Sequence, residues 1–202
     1  SLYQATFEEE WLQKANEIAE KMISLFWNEN EQVFFDTGND HETLLIRPRT
    51  TSDNVMPSGG SAAAEALFHL ATLTGNEKYI SIATMALDSV SELLSRYPTG
   101  FTNWLCVLDF YLESPLEIAI IGPRENKDTM ELLKTVFEKY LPNKIIAGKQ
   151  KTASTEDTEI PLLEGKTMVN GKPTAYVCQN YSCKFPVTDS ISLAKQLMPY
   201  TT

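Results

Sequence analysis

The chain has 202 residues, of which 43% are apolar and 10% aromatic, and its 17 basic and 27 acidic side chains give a formal net charge of −10. That is enough chain for one large domain or two small ones with a proper core, and a charge of that sign repels phosphate backbones and anionic lipid, which argues against nucleic acid and membrane as partners. No apolar run approaches the roughly 20 residues that cross a bilayer, no basic segment precedes an apolar stretch as in a signal peptide, and three cysteines are too few for a secreted disulfide framework.

A cytoplasmic location is therefore the expectation. Ser1 rather than Met opens the chain, so we expect a piece of a larger protein. Thr6 and Glu9 have capping-box spacing. Trp11, Leu12, Ala15, Ile18, Ala19, Met22, Leu25 and Phe26 then recur at three- and four-residue steps, which predicts a helix over 7–28. Val33-Phe34-Phe35 is β-prone and ends at Gly38-Asn39-Asp40. Residues 36–57 have little periodicity, and Pro48 and Pro57 interrupt them. Ser58-Gly59-Gly60-Ser61 opens a second helix, which Gly75-Asn76 ends. A third apolar stripe runs from Tyr79 to Tyr97 before Pro98 and Gly100 break it. A fourth helix covers Phe101 to Leu112, where Cys106 is expected in the core. Four helices with short turns read as two αα-hairpins over 1–113.

The pattern changes at Pro115. Leu116 to Gly122 reads as a strand, Asp128 to Tyr140 as an amphipathic helix and Asn143 to Ala147 as a second strand. That is a βαβ unit, whose strands are expected to be parallel. The one weak basic run, Lys144 to Lys151, reads as a loop, and the polar residues 148–158 as a mobile one. Asn170-Gly171 marks a turn, Thr174 to Cys178 a third strand, and Asp189 caps a last helix through Leu197. The expected fold is α+β: helical hairpins over 1–113, then a small α/β unit over 114–202 with a three-stranded, mainly parallel sheet.

Three groups of residues could carry chemistry. Cys178 and Cys183 are separated by four residues. They fit small residues packing a strand end, a reversible dithiol, or half of a metal site that would still need further ligands. Asp36, Asp40, His41, Glu42, Arg47, Arg49, Asp53, Asn54, Ser58 and Ser61 lie in irregular segments ahead of a helix N-terminus, where free amides can hold an anion or a sugar hydroxyl. Asp36 and Asp53 are the candidates for acid–base work, with Arg47, Asn54, Ser58 and Ser61 as substrate-binding candidates. Loop solvation, with Ser58 or Ser61 as a helix cap, explains the same residues. Gly122-Pro123-Arg124 follows a strand end, where α/β folds bind ligands, but it lacks the glycines of a phosphate loop. His69 lies between Phe68 and Leu70 and reads as a packing residue. No nucleophilic triad, cofactor motif or metal set is evident.

Phe34-Phe35-Asp36-Thr37-Gly38, Arg47-Pro48, Asp53 to Ser61, Pro115-Leu116-Glu117-Ile118, Leu141-Pro142-Asn143-Lys144, Leu163-Glu164-Gly165-Lys166, Lys172 to Cys178 and Pro186-Val187-Thr188-Asp189 stand in an order that has a family counterpart. Together they resemble the C-terminal region of the spermatogenesis-associated protein 20 family and its YyaL-type bacterial members, from Phe7 to Leu197. The resemblance implies a longer protein. Its N-terminal part would hold a thioredoxin-like domain, followed by a toroid of paired helices similar to N-acylglucosamine 2-epimerases and six-hairpin glycosidases. The helices here would be the last hairpins of that toroid. Gly60 departs from the Asn expected in most relatives.

Three functions follow as expectations. The chain could be part of a sugar isomerase- or hydrolase-like enzyme with a sugar or sugar-phosphate ligand, which predicts a concave pocket. It could be a redox-linked module, which predicts that the Cys178 and Cys183 Cα atoms lie within about 7 Å. It could be a docking piece for the missing N-terminal domains, or for a second copy in a homodimer, which predicts an apolar patch on the helices.

Overall fold

The computed structural model describes residues 1–42, 46–149, 160–180 and 182–200. The helix expected over 7–28 is α2 (Glu9–Phe26), and a short helix, α1 (Leu2–Thr6), precedes it. They part at Phe7, whose backbone turns left-handed, with φ 60°, and whose amide closes α1 on the Tyr3 carbonyl at 2.7 Å. Thr6 lies inside α1, donates to the Leu2 carbonyl at 3.0 Å and accepts from the Glu8 amide at 3.3 Å.

The chain is α+β and divides into two units, residues 10–112 and residues 1–9 with 113–202. Residues 1–9 group with the C-terminal unit.

In the helical unit, two-residue strands β1 (Trp27–Asn28) and β2 (Val33–Phe34) pair antiparallel, with the Trp27 and Phe34 rings 4.9 Å apart. Helix α3 (Gly59–Thr74) starts where expected, because the Ser58 hydroxyl accepts from the Ser61 amide at 3.2 Å. It stops at Gly75, φ 70°, and Asn76 caps α4 (Glu77–Asp88) by accepting from the Lys78 amide. That tight link packs α3 against α4. The single helix expected over the third stripe is two, α4 and α5 (Ser91–Arg96). At the break the Ser89 hydroxyl donates to the Ala86 carbonyl at 2.7 Å, competing with the helix ladder. The apolar stripe survives the break, since Val90 and Leu94 are both buried. Helix α6 (Thr102–Glu113) lies along α3, with the Phe68 and Tyr111 rings 5.3 Å apart and His69 against Phe110 at 4.6 Å.

In the other unit, β3 (Leu116–Ile121), α7 (Lys127–Phe137) and β4 (Lys144–Lys149) form the βαβ unit, and the two strands run parallel in the register Leu116↔Lys144. Most of the basic run expected as a loop, Lys144 to Lys149, is thus strand. Residues 150–158 of the expected mobile loop lie outside the described residues. β5 (Thr174–Gln179) runs antiparallel to β3, and β6 (Ser182–Cys183) antiparallel to β5, in the order β4-β3-β5-β6. The three-stranded, mainly parallel sheet is therefore corrected to a four-stranded mixed one. The described part of the return from β4 holds no α-helix, only a 3-10 turn at Pro161–Leu163 and the turn at Asn170-Gly171, φ 52° and 72°. The chain thus re-enters the sheet at the end where β4 leaves it, which sets β5 antiparallel to β3.

Helix α8 (Ser190–Leu197) is capped by Asp189, which accepts from the Ser192 amide at 2.8 Å. One sheet face, through Ile118, Ile120, Ile146 and Val177, buries Phe7, Leu132, Leu133 and Val136 of α7 and Leu193 and Leu197 of α8. Each such leucine contributes about 1.5–3 kcal/mol. The segment carrying buried Ile160, Leu162 and Leu163 packs on β3 and β4.

Candidate functional site

Asp53 is the centre of the polar network in the helical unit. Its Oδ1 accepts from the Ser58 amide at 2.9 Å and the Ser61 hydroxyl at 2.7 Å. Its Oδ2 accepts from the amides of Asn103 at 2.8 Å and Trp104 at 3.1 Å. One buried carboxylate thus caps the N-termini of both α3 and α6, where amides and helix dipoles favour a negative charge. Phe101, just before α6, has no side-chain acceptor, so α6 takes its cap from Asp53. Burial alone would raise the Asp53 pKa, but the hydrogen bonds from Ser58, Ser61, Trp104 and Asn103 outweigh it and hold the carboxyl below its usual value. A carboxylate so engaged stays ionised at neutral pH and accepts a proton poorly.

The other candidates distribute around this hub. Ser58 and Ser61 are buried, their hydroxyls 3.1 Å apart, and both belong to the cap. Asn54 is exposed and accepts from the Val55 amide at 2.9 Å. Asp36 is exposed too, and its Oδ2 accepts from the Thr50 amide at 2.8 Å and hydroxyl at 2.7 Å. Arg47 lies apart from them: it donates to the carbonyls of Thr37 and Leu25 and stacks on Phe35 at 4.5 Å. It finishes α2 by satisfying a C-terminal carbonyl. The structure therefore brings Asp53, Ser58 and Ser61 together as a helix cap and does not gather Arg47 with them. Asn103 and Trp104 are the partners that sequence reasoning missed. The available signal was the absence of a capping side chain before α6.

A small pocket lies beside the hub, lined by Phe34, Arg49, Thr50, Gly60, Ser89 and Trp104. It has room for about one water molecule and is too small for a sugar ring. Gly60 is tied to it, because a Cβ there would sit 3.0 Å from Trp104 Cζ2.

In the α/β unit, Cys178 and Cys183 face each other across β5 and β6 and form a disulfide, with Cα atoms 3.9 Å apart. Cys178 is buried and Cys183 exposed. Glu117 on β3 stands directly opposite Cys178. Burial raises its pKa, with Lys166 acting against the shift. Cys106 is exposed and free, not in the core as expected, because α6 turns that side to solvent. His69 packs on Phe110, and burial lowers its pKa against the opposing charge of Glu65. Gly122 and Arg124 form a packed turn: a Cβ at Gly122 would sit 2.7 Å from Thr129 Oγ1, and Arg124 donates to the Ala5 carbonyl at 2.8 Å. Among the described residues, no group of three or more His, Cys, Asp or Glu side chains is placed to hold a metal, and no helix is long and apolar enough to cross a membrane.

Comparison with known proteins places this arrangement. No family model matches the chain. Spermatogenesis-associated protein 20 of Homo sapiens is 30% identical over 200 residues, 98% of this chain. The Rattus norvegicus and Mus musculus proteins of the same name are each 29% identical over 201 residues, 97% of the chain. The chain is similar to spermatogenesis-associated protein 20 over nearly its whole length. It spans 25% of the length of these relatives.

Proposed function

We propose that this chain is an assembly module of a larger protein, whose helical unit docks on the remainder of that protein and has no complete active site of its own. The observation that carries the reading is an apolar stripe facing outward on α6. Leu105 and Leu108 are only half-buried, and Leu112 is 68% exposed, with Tyr111 beside it at 44%. These positions recur at helical spacing, as on a face meant for another helix. Helix α2 repeats the pattern through Trp11, Ala15, Met22 and Leu25, all half-buried, and Ile18, 69% exposed. The occupant is the rest of a polypeptide of the relatives' kind, since the chain matches only 25% of their length. The filled carboxylate of Asp53 and the water-sized pocket beside it support the same reading. In the intact protein this module closes a helical toroid whose cavity takes a sugar or sugar phosphate, with Asp36 and Asn54, both exposed, at its rim.

Mixing the chain with the separately expressed remainder of the human relative tests this. The two should form a stable complex on size-exclusion chromatography. Leu108→Asp with Leu112→Asp should weaken it at least about tenfold, by removing buried apolar area. A sugar or sugar-phosphate library should shift the melting of the complex and not of the chain alone. A ligand that stabilises the chain alone, and loses that effect with Asp36→Ala, would overturn the docking reading in favour of a self-contained site.

A further inference from the structure

We propose that Cys178 and Cys183 form a thiol–disulfide exchange site for a dithiol-class reductant, with Cys183 as the attacked sulfur and Glu117 as proton donor to Cys178. The sheet register carries the proposal. Glu117 pairs with Cys178, and Cys178 with Cys183, so the three side chains stand in one row on one sheet face. Directly opposed residues have Cβ atoms about 4.5–5.5 Å apart, within reach of a glutamate side chain. The row runs from the sheet interior to its edge: Glu117 is half-buried, Cys178 buried and Cys183 exposed on β6.

An incoming thiolate therefore meets Cys183 first. It bonds to the Cys183 Sγ, the S–S bond breaks, and the electron pair leaves on Cys178. A thiolate formed in that buried place is poorly solvated, which raises its affinity for a proton. The Glu117 carboxyl, whose pKa burial raises, delivers one and is reprotonated from solvent. The second thiol of the reductant then attacks the mixed disulfide and releases Cys183. The reductant leaves as its disulfide, and the protein has gained two electrons and two protons. Among the described residues, the charged group that bears on Glu117 is Lys166. Lys166 acts against the raised pKa; Lys166 in turn feels Glu164 and stands 5.8 Å from the Tyr176 ring. From β4, Lys144 is turned to the Leu141 carbonyl.

The test uses the whole chain, oxidised, with dithiothreitol as the reductant and intact mass after maleimide quenching as the readout. Before reduction one thiol should label under native conditions, Cys106, and after it all three. A pulse of glutathione should give a mixed disulfide that peptide mapping places on Cys183. Cys178→Ser should leave Cys183 labelling freely, whereas Cys183→Ser should leave Cys178 at least about tenfold slower, because it is buried. Glu117→Gln should slow reduction about tenfold and flatten its pH profile, with Glu117→Asp in between. Three reactive thiols in the oxidised protein, a mixed disulfide on Cys178, or an unchanged rate and pH profile in a folded Glu117→Gln would each overturn the proposal.

Discussion

Asp53 shows how much one side chain can hold. Asp53→Asn keeps the shape but puts an amide NH2 where backbone N–H groups now donate. It should destabilise the chain by about 2–4 kcal/mol, read by urea denaturation. The pH dependence has a definite sign. Its folded pKa is lowered, so its contribution is present above the unfolded value of about 3.9 and is lost as pH falls through the folded one. The Asn variant should lack that part of the acid transition. At the other end of the scale, Tyr79 and Tyr3 have pKa values pushed up to about 12, mainly by burial, with Glu20 adding to the effect at Tyr79. Stability from these phenols is complete below their unfolded value of about 10 and lost as pH rises towards 12. Absorbance at about 295 nm should show these two phenols ionising well above the unfolded value of about 10. The sequence placed Asp53, Ser58 and Ser61 together before a helix, and capping was one of their readings. It could not place Asn103 and Trp104 beside them, because that contact joins residues 50 and 51 positions apart.

Elements follow local chemistry where caps and breakers decide them, and escape it where tertiary contacts do. The ends of α3, the start of α8 and the parallel pairing of β3 with β4 were legible from Ser58, Gly75, Asp189 and the βαβ spacing. The break at Ser89 was not, since it keeps the apolar period while changing the backbone. The direction of β5 was also hidden, because composition does not report from which end a strand enters a sheet. Glycine contacts give a sharp test. Gly60→Ala would press a methyl group on Trp104 and should cost about 1–3 kcal/mol, with a shift in tryptophan fluorescence. Gly148→Ala should do more, since its Cβ would fall inside the Phe7 ring. Edge strand β4 has a further guard. Gln4 accepts from its Ile146 amide at 2.8 Å, and the Tyr3 hydroxyl meets the Gly148 amide and carbonyl at 3.4 and 3.5 Å. Loose strand edges invite pairing between molecules.

At the scale of the molecule, the α/β unit is built from two stretches of chain and the helical unit from one. Removing residues 1–8 should therefore raise amide hydrogen exchange across 113–200 and leave 10–112 nearly unchanged. It should also promote self-association, seen on size-exclusion chromatography. Equal loss of protection in both units would contradict the division. The net charge of −10 spreads over a surface without a strong basic stretch, and retention on an anion exchanger rather than on heparin is expected at neutral pH.

The Gln4–Ile146 bond spans 142 residues, which sets an order of events on the ribosome. Helix α1 is made early, but the strand it guards emerges only after the whole helical unit. At about 5–20 residues per second, α1 waits on the order of ten seconds for its partner. The helices can fold during that delay as an insertion inside an unfinished neighbour. Closing the sheet edge is then a late event in the life of the nascent chain, when a chaperone or a second copy can compete for it.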